Sequence, residues 1–252
     1  MVKRRVIISV IACVLIAVIA YSGYRLFNIE YNYATEASMH SQLMQYKPEM
    51  PISEANLPAT PTREVNQGIL DLQSKYPNAN VVGWLTIPNT KIDYPFAQAQ
   101  DNSAYLSLDL DHNWAQSGTI FMDYRNKSNF SDFNTIIFGH HMNSGSMFSS
   151  LQYFIDQDFF DKNKSGTIFL ADRTYQIEII AVAVIDPDDA LIYDPTIATD
   201  AEKTAFLDHV KSVARHYRNV SISKNDHIVT LSTCNYEYQN AREVLIGRLV
   251  EI

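Results

Sequence analysis

Cys234 closes the run Val229-Thr230-Leu231-Ser232-Thr233-Cys234, and Arg242 follows eight positions later. The chain has two cysteines. The other, Cys13, lies in an apolar N-terminal segment that reads as a membrane anchor, so the rest of the chain carries a single thiol with no second cysteine to pair with. Outside the cytoplasm such a thiol is either buried and inert or kept for its reactivity. A thiol attacks a carbonyl as its thiolate, so it needs a neighbour that lowers its pKa or removes its proton, and donors for the oxyanion that forms. Of seven histidines, His140 and His141 stand apart. They follow Gly139 directly after the apolar stretch Thr135–Phe138, and a histidine just past a strand end is placed to face a cleft. A polar turn is the plainer reading of the same pair. His40 falls in a juxtamembrane stalk, while His112, His209, His216 and His227 sit in polar or helical contexts where solvation is expected. Arg242 has a permanent charge and several donors, which suits an oxyanion or a thiolate; a surface arginine is its plainer reading. Arg248, on the same predicted strand but at its opposite end, reads as structural.

The elements that must position these groups are mostly strands. Short apolar runs at Val81–Ile87, Ile92–Phe96, Gly118–Met122, Thr135–Phe138, Thr167–Ala171, Tyr175–Ile185, His227–Ser232 and Glu243–Val250 are bounded by turn residues. Asp172-Arg173 reads as a tight connection between two of them. Helices are expected over Met147–Phe160 and Ala201–Arg218. The second carries Phe206, Val210, Val213 and Tyr217 on one face, with Thr199 and Glu202 as a capping box. A further helix opens near Thr62 and is closed by Pro77. Eight strands with few helices predict a mainly β domain, a closed or nearly closed β-barrel.

Length and composition bound the rest. At 252 residues, with 46% hydrophobic and 19% charged content, one membrane segment and one globular domain is the natural division. The net charge of −8 includes Lys3, Arg4 and Arg5 at the N-terminus, so the remainder is more acidic still. That argues against nucleic acid as a partner. Val6–Tyr21 is apolar apart from Ser9 and extends to Arg25, close to the span of a bilayer core. Basic residues before it place the N-terminus inside and the domain outside. A cleaved signal peptide is the alternative, but the run is long and Ala17-Val18-Ile19-Ala20 is a poor exit site. The expected organisation is a cytoplasmic tip and anchor over residues 1–25, a stalk and Pro-rich linker over 26–62, and a globular domain over 63–252. No metal or cofactor is expected. Cys234 has no neighbouring Cys or His ligand, the adjacent His140-His141 pair lacks zinc spacing, and Asp186-Pro187-Asp188-Asp189 lacks calcium-loop spacing.

Four separated motifs then carry a family resemblance. Thr230-Leu231-Ser232-Thr233-Cys234, with Arg242 after it, resembles the cysteine motif of sortases. Ile136 to Met142, with Ser146-Met147-Phe148 beyond, resembles the histidine segment of the class B type. The stretch Gly118 to Asn126 resembles a further class B signature, and Trp84-Leu85-Thr86-Ile87-Pro88 the entry strand. The resemblance covers residues from about 63 to 252.

It implies a closed eight-stranded sortase-type barrel with an N-terminal helix and a long helix between the sixth and seventh strands. It also implies Cys234 as nucleophile, His140 as catalytic histidine with His141 as fallback, and Arg242 as the residue holding the substrate and its oxyanion. Ser232, Asn102 and Leu106 match groove positions. The implied reaction cleaves a C-terminal sorting signal after threonine through a thioacyl intermediate. The acyl group then passes to an amine of a cell-wall precursor or a pilin, at the outer face of a Gram-positive membrane. Partners would be surface proteins or pilins bearing that signal. One departure stands out: where some class B members carry an acid two positions after the cysteine, this chain has Tyr236, with Glu237 next. A hydrolytic cysteine peptidase and a non-enzymatic tethered binding module are the rival readings.

Overall fold

The computed structural model describes residues 2–50, 65–234 and 241–252, with backbone alone at residues 2–4 and 234. The chain divides between Gln42 and Leu43 into two units. The first is a helix, α1 (Val2–Leu43). It is long and apolar enough to cross a bilayer, with a mean hydropathy of 2.7 over its best window. Its apolar side chains, among them Ile11, Val14 and Ile19, are exposed.

The second unit begins with a 3₁₀ turn (Met44–Tyr46) and a short helix, α2 (Gln67–Lys75). Among the described residues nine strands follow: β1 (Val81–Thr86), β2 (Asp93–Gln98), β3 (Ile120–Met122), β4 (Asn134–Phe138), β5 (Ser165–Leu170), β6 (Thr174–Ile185), β7 (Ala214–Tyr217), β8 (His227–Cys234) and β9 (Arg242–Glu251). The sheet order is β5-β1-β2-β3-β4-β8-β9-β6-β7, and β5 also pairs with β6. Eight strands therefore close on themselves, and β7 lies outside as a short extra strand on β6. Two neighbouring pairs, β2–β3 and β4–β8, are parallel, and the others are antiparallel.

Closure gives each strand an inner and an outer face, and the sequence fills both. Along β6, Ile177, Ile179 and Val182 join the barrel interior with Leu85, Phe96 and Leu231. Ile180, Ala181, Ala183 and Ile185 face outward into a second cluster with Phe206 and Val210 of α4 (Asp200–Val213). A bulge between Ile179 and Ala181 shifts the phase of the alternation there. On the other side, Trp84 of β1 packs with Ile69 and Leu72 of α2. The eight expected strands all form, and Leu170 N donates to Arg173 O across the Asp172-Arg173 turn (2.9 Å).

The helices differ from expectation in their limits. The capping box at Thr199 and Glu202 is present, but α4 stops at Val213. Ala214 turns extended (ψ 130°), and 214–217 becomes β7, with His216 opposite Val182 on β6. Tyr217 still packs on the outer cluster, so its apolar position is used by a strand rather than a fifth helical turn. The expected helix over Met147–Phe160 is a 3₁₀ run (Ser149–Ile155) and then α3 (Gln157–Lys162). Asp156, extended between them, caps α3 by accepting from Phe159 N (2.9 Å). The expected opening of α2 at Thr62 lies outside the described residues.

Candidate active site

The strand pairing collects residues from distant parts of the chain at one rim. In the parallel pair β4–β8, Phe138 stands opposite Ser232, and Gly139 N continues the ladder by donating to Ser232 O (3.1 Å). His140, just past β4, and Cys234, the last residue of β8, thus leave the sheet at the same end. The antiparallel pair β8–β9 sets Arg242 directly opposite Cys234. A cavity of about 570 Å³ opens here and is lined by Asn102, Leu106, His140, Ser232 and Arg242 among others. Five of the six residues singled out from the sequence line it. The sixth, Cys234, is described through its backbone. His141 is not among the residues lining the cavity; its backbone bridges to Met147.

Gly139 is where it is because the chain passes close to a ring. A Cβ there would lie 2.8 Å from the Phe148 side chain, which is fully buried. His140 Nε2 lies 2.7 Å from the carbonyl oxygen of Leu106. A carbonyl only accepts, so Nε2 carries the proton in this contact. The question raised by Tyr236 and Glu237 falls on residues outside those described, but His140 already has a backbone partner.

The floor and far wall rest on Asp123 and Arg125, which stand in the stretch Gly118 to Asn126 without an assigned role, on Asn102, and on Tyr193, which no motif isolated. Asp123 is fully buried. Its carboxylate accepts from Arg125 N (2.9 Å), Arg125 Nε (2.9 Å) and Nη2 (2.7 Å), and Asn102 Nδ2 (3.0 Å). Burial pushes its pKa up, but these donors outweigh burial and the net shift is downward. Asn102 Oδ1 accepts from Tyr124 N (3.0 Å), so both ends of this amide brace the wall they line. Arg125 Nη2 also donates to Tyr193 O (3.0 Å). The Tyr193 hydroxyl lies 2.8 Å from Ser232 Oγ, and its ring stacks on Phe138.

The 186–199 segment, which supplies the far wall, is pinned further. Asn134 Nδ2 donates to Ile192 O and Asp194 O, and Asp189 pairs with His209 of α4 (2.8 Å). His209 is therefore not simply solvated. Nor are His216 and His227, which contact the carbonyls of Ile155 and Asp132. His112 stands edge-on to Tyr105. Arg248 pairs with Glu178 (2.6 Å) at the other end of β9, in keeping with a structural role.

This geometry can be set beside known proteins. A family profile described as "Sortase domain" matches residues 85–250, and the chain belongs to the sortase family. Within that family it is of the class B type, a group of cysteine transpeptidases. A sortase B of Listeria monocytogenes is 39% identical over 189 residues, covering 74% of this chain and 76% of that protein. The solved "Staphylococcus aureus sortase B-substrate complex" superposes with a TM-score of 0.75 at 25% identity, covering 88% of this chain and 99% of that one. A crystal structure of sortase B from the Type II pilus of Streptococcus pneumoniae gives a TM-score of 0.62 at 39% identity, covering 71% and 97%. The closed eight-stranded barrel and the helix inserted after β6 are the fold these structures share.

Proposed function

We propose that this class B sortase is tethered by α1 with its barrel outside the cell, and that it cleaves C-terminal sorting signals after a threonine. The observation that carries the reading is the convergence of His140, Arg242 and Ser232 on one cavity, at the rim where Cys234 ends β8. The Cys234 thiolate attacks the threonine carbonyl, and Arg242 holds the oxyanion. The C–N bond breaks as His140 gives its proton to the leaving amine. An incoming amine then attacks the thioester, its proton passes to His140, and the C–S bond breaks to restore the thiolate. The acceptor is an amine of a cell-wall precursor or a pilin lysine. The Type II pilus named for the pneumococcal relative supports the second. Tethering enzyme and substrate to one membrane raises their effective concentration. Asn102 and Leu106 complete the groove for the signal.

The test is mass spectrometry of the full chain incubated with sorting-signal peptides, with and without candidate amines. Wild type and Cys13→Ala are expected to show the acyl adduct, and Cys234→Ala none. An adduct that survives Cys234→Ala refutes the assignment of the nucleophile. Products that remain carboxylic acids whatever amine is supplied favour the hydrolytic peptidase.

A further inference from the structure

We infer that His140 works through Nδ1 because its Nε2–H is fixed on the Leu106 carbonyl, and that Gly118 and Asn102 are positioning residues that hold this carbonyl in place. The inference rests on the role of His140 in the proposed reaction. The 2.7 Å contact with Leu106 O sets the neutral tautomer as Nε2–H, which leaves the Nδ1 lone pair to take and return the proton. The orienting group is thus a main-chain oxygen rather than a carboxylate, and it has no side-chain signature.

The peptide that supplies it is held from several sides. Leu106 ends a 3₁₀ turn (Ala104–Leu106) in the crossover between the parallel strands β2 and β3. On either side of it, Tyr105 O accepts from Thr119 N (3.0 Å) and Ser107 O from Ala115 N (2.9 Å). The Leu106 carbonyl between them is turned to His140. Tyr105 anchors the turn from below by donating its hydroxyl to Ala79 O (2.5 Å). Asn102 ties the start of the turn to Asp123 and Tyr124. Gly118 closes the arrangement. It has φ +56°, and a Cβ there would lie 2.2 Å from Tyr105 O and 2.9 Å from both C and O of Leu106. Any side chain at position 118 would press on the peptide that orients His140, at a backbone angle that already favours glycine.

The experiment is long-range ¹H–¹⁵N spectroscopy of the full chain labelled in histidine. It is recorded on a Cys234→Ala background so that a thiolate does not hold the imidazole charged. Neutral His140 is expected as the Nε2–H tautomer. Gly118→Ala, and Asn102→Ala where Gly118→Ala does not fold, are expected to move it toward a mixture. With Cys234 present, Gly118→Ala, which lies outside the cavity lining, is expected to lower kcat on the order of tenfold while KM stays within about twofold, a part of the full acid–base contribution. A parent chain whose neutral His140 is Nδ1–H or an even mixture overturns the inference. So does a folded variant of either kind with an unchanged tautomer, or a Gly118→Ala that raises KM alone. The tautomer is read without catalysis, so an error in assigning Cys234 as nucleophile would leave this result intact and show instead in the acyl-adduct experiment.

Discussion

Replacing Asp123 by Asn keeps the size of the side chain and removes its charge. Asp123 has 0% exposure. Two donors, Arg125 Nη2 and Asn102 Nδ2, point at one carboxylate oxygen, and Arg125 N and Nε point at the other. An amide can serve only one of these pairs; the other then faces an NH₂ group. Hydrogen bonds to a charged group contribute about 1.5–3 kcal/mol each, and breaking a buried pair from one side costs about 3–5 kcal/mol. The Arg125 side chain is 39% exposed and recovers part of this from water. The expected loss is about 2–3 kcal/mol near neutral pH.

The pH dependence has a definite sign. The folded pKa of Asp123 lies below its ordinary value. Its stabilisation is therefore complete above the unfolded carboxylate pKa of about 3.9, and is lost as pH falls through the lower, folded value. Urea unfolding of the detergent-solubilised chain, followed through the fully buried Trp84, measures the gap between wild type and Asp123→Asn. The gap should be constant from about pH 5 to 7 and shrink toward pH 3. A gap under about 0.5 kcal/mol at pH 7, the size of an ordinary surface substitution, would refute the reasoning, as would one that persists undiminished in acid.

Two further outcomes follow from the same wall and rim. Tyr193→Phe keeps the stacking on Phe138 but leaves the Ser232 hydroxyl, 1% exposed, without the tyrosine oxygen; it should cost about 1–2 kcal/mol of stability and raise KM for signal peptides more than it lowers kcat, as steady-state kinetics would show. Gly139→Ala drives a methyl into the Phe148 ring and should cost about 1–3 kcal/mol by urea unfolding, with partial recovery in the double variant Gly139→Ala/Phe148→Leu; an unchanged midpoint in the single variant would show that the ring moves aside freely.

All eight barrel strands were legible because each buries apolar side chains between turn residues, a pattern that depends on local sequence alone. The end of α4 was not. Val213 and Tyr217 satisfy a helical stripe equally well, and the β6 edge that captures 214–217 is built from residues more than thirty positions away. At the site, Cys234, His140 and Arg242 were legible as reactive types beside strand ends. Asp123 stood in a recognised motif without a stated job, because its partners Asn102 and Arg125 become meaningful only when the walls are assembled. Tyr193 had no sequence signal. The Leu106 carbonyl had none either, since every residue has one and only folding says which is aimed at an imidazole. The four histidines expected to be solvated show the same limit: their partners are carbonyls, a ring and a carboxylate from other segments.

The parallel pairing of β4 with β8 also bears on timing. It joins segments about a hundred residues apart in the chain, as in the buried bond between Thr230 and Asn134, 96 positions distant. Contacts so remote are costly in loop entropy and form slowly. On the proposed chemistry, a chain still folding carries an ordinary, weakly ionised thiol. It becomes a strong nucleophile only when the β4–β8 ladder brings His140 to its strand end, so acyl transfer is withheld from copies in which that long-range pairing has not yet formed.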